Sequence, residues 1–96
     1  MSLSALSWAL AQRDCTLEER ALLVLISECH SPHPEACAEV DLDRLGREER
    51  IDADHLERLI SSLERAQKLV RAEPGLVYLA CDPGFRSRVD RSGGRT

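Results

Sequence analysis

The sequence predicts a mostly α domain of three to four helices that carries a small β-hairpin, and three observations predict it. Leu56, Leu59, Ile60 and Leu63 recur at i, i+3, i+4 and i+7, the spacing by which an α-helix presents one apolar stripe to a core. Leu22, Leu23, Leu25 and Ile26 make residues 17–29 the most apolar segment, and Thr16-Leu17-Glu18-Glu19 opens it with the spacing of a capping box. Leu69-Val70-Arg71 and Leu76-Val77-Tyr78-Leu79 are short β-prone runs on either side of Ala72-Glu73-Pro74-Gly75.

Residues 3–11 are apolar on most sides and predict a first short helix, with Trp8 as its anchor in the core. Residues 12–15 are a polar break. The helix over residues 17–29 is then the central element around which others pack. Pro32 and Pro34 end it and open a surface loop over residues 29–37. That loop holds Cys29, His30, His33 and Cys37, residue types that ligate zinc. Adjacent Cys29 and His30 can hardly both turn to one tetrahedral ion. The expectation is therefore a plain loop with solvated histidines, no metal and no cofactor.

Glu39-Val40 predicts a short strand joining the later hairpin, and Asp41 a cap for a helix that turns Leu42 and Leu45 inward. Gly46 stands where a small side chain lets the next helix approach. Arg47-Glu48-Glu49-Arg50 is the charged turn region. Asp52 caps the last predicted helix, over residues 53–68. At 100° per residue, Leu59, Ile60 and Leu63 stay within about 60° of Leu56, and Asp54, Arg58, Ser61 and Arg65 fall on the opposite side. Pro74-Gly75 fits the central pair of a type II turn, in which glycine supplies the positive φ.

The chain has 96 residues, enough for one domain with a single modest core, and 43 % of them are hydrophobic. We read residues 1–81 as the folded domain and residues 82–96, rich in arginine and glycine, as a flexible C-terminal tail from which Phe85 alone folds back onto the body. Residues 1–81 hold 9 Arg and Lys against 15 Asp and Glu, whereas residues 82–96 hold 4 Arg against 2 Asp. The body is acidic and the tail weakly basic. The 4 cysteines are expected to be reduced thiols. No run approaches the ~20 apolar residues of a membrane span, and the N-terminus lacks the basic region of a signal peptide. A cytoplasmic location is the expectation, without membrane contact. No phosphate-binding glycine loop, paired-acid site or nucleophile with a base is present, so no enzymatic activity is expected.

Residues 16–80 follow a pattern: a long apolar helix, a two-helix motif, the exit Leu63-Glu64 to Leu69-Val70, and a hairpin. In this they resemble winged helix-turn-helix domains of small bacterial and phage proteins. The usual exit glycine is replaced here, with Gln67-Lys68 in its place. The resemblance implies duplex DNA as partner and a role as a regulator or replication accessory of a bacterium, phage or mobile element. In such domains the second helix of the motif enters the major groove. Candidate DNA contacts are then Arg47, Arg50, His55, Arg58, Ser61, Arg65 and Arg71, with Arg86 and Arg88 of the tail. The head of that helix, however, reads Asp52-Ala53-Asp54-His55-Leu56-Glu57-Arg58, three carboxylates where phosphate contacts call for cations. The alternative is a protein-interaction winged helix, such as a phage or mobile-element inhibitor, docking on a basic partner through Asp52, Asp54, Glu57 and Arg58. Self-association as a homodimer is compatible with either.

Overall fold

The computed structural model describes residues 3–31, 37–72 and 75–92, with the side chains of 91 and 92 excepted. The fold is mixed α and β. The described residues form five helices, α1 (Leu3–Leu10), α2 (Leu17–Glu28), α3 (Leu42–Glu49), α4 (Ala53–Arg65) and α5 (Phe85–Ser92). Four strands, β1 (His30–Ser31), β2 (Cys37–Glu39), β3 (Leu69–Arg71) and β4 (Leu76–Leu79), form one antiparallel sheet in the order β1-β2-β4-β3. The expected hairpin is present as β3–β4, and the strand expected near Glu39 joins it through Ala38 opposite Val77. Strand content exceeds the expectation of a mostly α chain with one hairpin, because β1 adds a further strand to β2. Pro32, His33, Pro34, the Glu73-Pro74 part of the turn and residues 93–96 lie outside the described residues. No helix among the described residues is long and apolar enough to cross a membrane.

Local chemistry sets the helix ends. Thr16 Oγ1 accepts from the Glu19 amide at 3.1 Å while Glu19 Oε1 accepts from the Thr16 amide at 3.0 Å, the full capping box. Asp41 accepts from the Arg44 amide and caps α3; Asp52 accepts from the Asp54 amide and caps α4. A Cβ added to buried Gly46 would stand 3.2 Å from the Ile51 carbonyl and 3.6 Å from a Leu56 methyl, so the absence of a side chain lets α3 and α4 meet closely.

The exit from α4 explains the missing glycine. The Lys68 amide bonds the Leu63 carbonyl and the Gln67 amide bonds the Glu64 carbonyl, which is a Schellman closure with Gln67 at its left-handed position, φ 59°. A side chain there costs about 1–2 kcal/mol of steric crowding that glycine escapes. Gln67→Gly is therefore expected to raise the unfolding free energy by roughly 1 kcal/mol, after the greater entropy of an unfolded glycine is offset. A lower urea midpoint for this variant would mean that the glutamine side chain makes a contact that outweighs the strain.

Two apolar clusters lie on opposite faces of the sheet, as the alternation of Leu69 with Val70 and of Val77 and Leu79 with Tyr78 requires. The larger takes Ala5 and Ala9 of α1, Leu22, Leu23 and Ile26 of α2, and the whole predicted stripe of α4, with Trp8 half-buried at its edge. The smaller contains Cys37, Val70, Tyr78 and Phe85, with Val89 against it. This second cluster corrects the tail reading over residues 85–92, and residues 93–96 lie outside the described residues. Residues 85–92 are helical, Phe85 is buried, and Arg88 lies 4.9 Å over the Tyr78 ring. The segment is ordered because the outer face of the sheet needs an apolar cover. Gly84 permits the approach, since a Cβ there would stand 3.0 Å from the Tyr78 ring.

The loop reading of residues 29–37 is corrected at both ends, where His30–Ser31 and Cys37 are strand residues, residues 32–36 lying outside the described residues. His30 is a strand residue opposite Ala38, and it is buried, not solvated. Its Nε2 lies 2.7 Å from Oδ1 of Asp82, itself buried, and Asp82 Oδ2 accepts from the Leu79 amide at 2.8 Å. Nδ1 of His30 has no hydrogen-bond partner among the described residues. None of the 4 cysteines is joined in a disulfide; Cys37 is buried and Cys29 exposed.

Candidate protein-docking face

The outward side of α4 follows from its buried side. Leu56, Leu59, Ile60 and Leu63 face the core, which leaves Asp54, Glu57, Arg58 and Arg65 exposed and His55 and Ser61 half-buried at the margins. The structure thus brings together most of the predicted contact residues. Arg47 and Arg50 lie at the end of α3, exposed, and Arg50 takes the left-handed cap position with φ 57°. Arg86 and Arg88 are not part of this face. They belong to α5, which packs on the other side of the sheet, and Arg86 sits 5.8 Å from the centroid of the Phe85 ring.

Three of the predicted nucleic-acid contacts are committed to carboxylates of the same chain. Arg71 meets Glu57 in a two-pronged pair at 2.9 and 3.0 Å and Glu64 at 2.7 Å. Planar guanidinium and planar carboxylate match each other's geometry, so this clamp is directional as well as charged. The bonds from Glu64 and then Glu57 push the Arg71 guanidinium above its ordinary value, and the bond from Arg71 with a second from Ser61 holds the Glu57 carboxyl below its own. Ser61 donates to Glu57 at 3.1 Å. His55 Nε2 lies 2.9 Å from Glu18 of α2. Glu19 is likewise held below the usual carboxylate range, by Ser62 first and the Thr16 amide second.

The residues left over decide the character of the face. Arg47, Arg50, Arg58 and Arg65 make no ion pair among the described residues, and neither do Asp52 and Asp54. From Asp52 to Arg65 there are four carboxylates against two arginines. The Glu57–Arg71–Glu64 clamp was missed in the sequence reading, although a signal for it exists. Glu57 and Glu64 are two helical turns apart on one side, and Arg71 enters the adjoining strand shortly after the helix exit. Comparison with family models, curated proteins and solved structures finds no match to this chain.

Proposed function

We propose that the chain is a non-catalytic winged-helix module that docks on a basic protein surface through the outer face of α4. The winged-helix reading is supported by the succession α2, β2, α3, α4, β3, β4, with β2 added to the hairpin on the β4 side, and by the close α3–α4 turn at Gly46. One observation carries the docking reading: Arg71, the cation of the hairpin, is closed off by Glu57 and Glu64. A winged helix that grips phosphate needs its wing cation free, because affinity for duplex DNA comes largely from phosphates neutralised by Lys and Arg. Here the wing cation is already neutralised, and Asp52 and Asp54 stand at the head of the helix.

Duplex DNA is the second reading, favoured by exposed Arg47, Arg50, Arg58 and Arg65 around the same helix. The Asp54→Gln, Glu57→Gln double variant separates the two. It removes two carboxylates and loosens Arg71. A DNA binder should bind duplex at low salt, lose about 0.9 log unit of affinity per log unit of salt for each phosphate contacted, and bind tighter after the double change. On the docking reading, wild type shows no duplex binding in a fluorescence anisotropy titration at low salt. Wild-type binding with a steep salt slope would overturn it.

A further inference from the structure

The end of β2, the turn at Gly75 and the start of α3 enclose an open cleft of about 660 Å3 lined by Glu39, Val40, Asp41, Leu42, Gly75 and Leu76. Leu42 also lines a cleft of about 460 Å3 between α3 and α4 and a third of about 320 Å3 against the hairpin. Leu42 lines all three concavities, and the second also reaches Arg47 of α3 and Glu57 of α4. The floor is apolar: Val40 is buried, and Leu42 and Leu76 are half-buried. The rim is acidic, with Glu39, Asp41 and Asp43 all exposed.

The carboxylates of this surface fall into two groups. Glu57 and Glu64 are committed to Arg71, Glu48 to Arg44, and Glu18 to His55. Among the described residues, Glu39 and Asp43 have no ion-pair partner, and the Asp41 side chain accepts only from the Arg44 amide. Arg44, the cation in the first turn of α3, is turned to Glu48 at 2.9 Å, and Arg47 borders the second cleft and not the first. An apolar floor bordered by uncommitted negative charge is complementary to an apolar side chain flanked by cations. Clefts of some 300–1,000 Å3 with such a floor are the usual size for seating a ligand group.

We infer that this cleft seats the anchor of the basic partner: a peptide segment with one apolar side chain on Leu42 and Leu76 and neighbouring Lys or Arg at Glu39 and Asp43. This rests on the docking reading above and adds to it the site and the chemical pattern recognised. Desolvation of the anchor supplies affinity, and the rim charges set specificity and association rate.

The test uses a fluorescent synthetic peptide with a single leucine between lysines, and the same peptide with glycine in place of the leucine. Titration is followed by anisotropy and by amide chemical shifts of the isotopically labelled full chain. The leucine peptide should bind more tightly than the glycine peptide and shift the amides of Leu42, Asp43 and Leu76 most. The Glu39→Gln, Asp43→Asn variant, which keeps side-chain shape, should weaken it by roughly tenfold, two rim pairs together amounting to little more than 1 kcal/mol. Equal binding of the two peptides, or no shift at Leu42 and Leu76, overturns the inference. Shifts confined to Asp54 and Glu57 would overturn it while leaving docking through α4 intact. Binding of duplex DNA in place of either peptide would overturn both.

Discussion

Asp82→Ala is expected to lower the unfolding free energy by about 2–6 kcal/mol, because each buried donor left without its acceptor costs about 1–3 kcal/mol. Both sides of the contact are inside the protein, His30 at 6 % exposure and Asp82 at 7 %. The carboxylate serves two buried donors, His30 Nε2 and the Leu79 amide, and more weakly the Cys81 thiol at 3.9 Å. Alanine leaves both buried and unmatched, and His30 Nδ1 already has no partner among the described residues. The contact also ties the edge strand β1 to the turn that launches α5, so its loss loosens both that strand and the helix covering the sheet. Asp82→Asn offers one acceptor oxygen where two are used, so about 1–3 kcal/mol should be lost. Urea unfolding of wild type, the two variants and the control Asp90→Ala, at an exposed position, would show this order. An alanine variant as stable as the Asp90 control would mean that water reaches His30.

The elements that repeat a signal along the chain were legible, and those that depend on one distant partner were not. Thr16 and Glu19 announce the start of α2 within four residues, and Leu56, Leu59, Ile60 and Leu63 repeat a helical period over two turns. His30 and Asp82 are 52 residues apart and meet only after β1 has paired with β2 and β2 with β4. Nothing local distinguishes such a histidine from a solvated one. α5 was hidden for a related reason. Its apolar content is Phe85 and Val89, one helical turn apart, embedded in Arg, Ser and Asp. Two residues cannot establish a period, and the helix exists because Tyr78 and Val70 need a cover on the far face of the sheet.

The candidate face was legible in composition and not in pairing. The phase of α4 correctly turns Asp54, Arg58 and Arg65 outward. What composition hides is which charges are spent on each other. Arg71 reads as a wing cation from the sequence, yet its guanidinium meets two glutamates. A surface ion pair of this kind contributes little to stability. Its consequence lies in recognition, since a guanidinium already shared by two carboxylates must break those bonds before it meets a phosphate.

Leu63→Ala carries the other large effect, an expected loss of about 2–5 kcal/mol. Leu63 is 1 % exposed, sits in the larger cluster with Leu22, Ile60 and Leu69, and closes the end of α4 by accepting the Lys68 amide. Truncation removes apolar area and leaves a cavity that α2, α4 and β3 cannot all collapse to fill, because the capping box on α2 and the Schellman exit on α4 fix their ends. The loss approaches the whole stability of a domain this small, for which 5–15 kcal/mol is the usual range. Leu17→Ala is the matched control: the same atoms are deleted at the first residue of α2, where the side chain is 74 % exposed. That change should fall within about 0.5 kcal/mol of wild type. A Leu63 variant no less stable than the Leu17 control would place the stripe of α4 in solvent. The acidic face would then turn toward the core, and the proposed docking through α4 would fall with it.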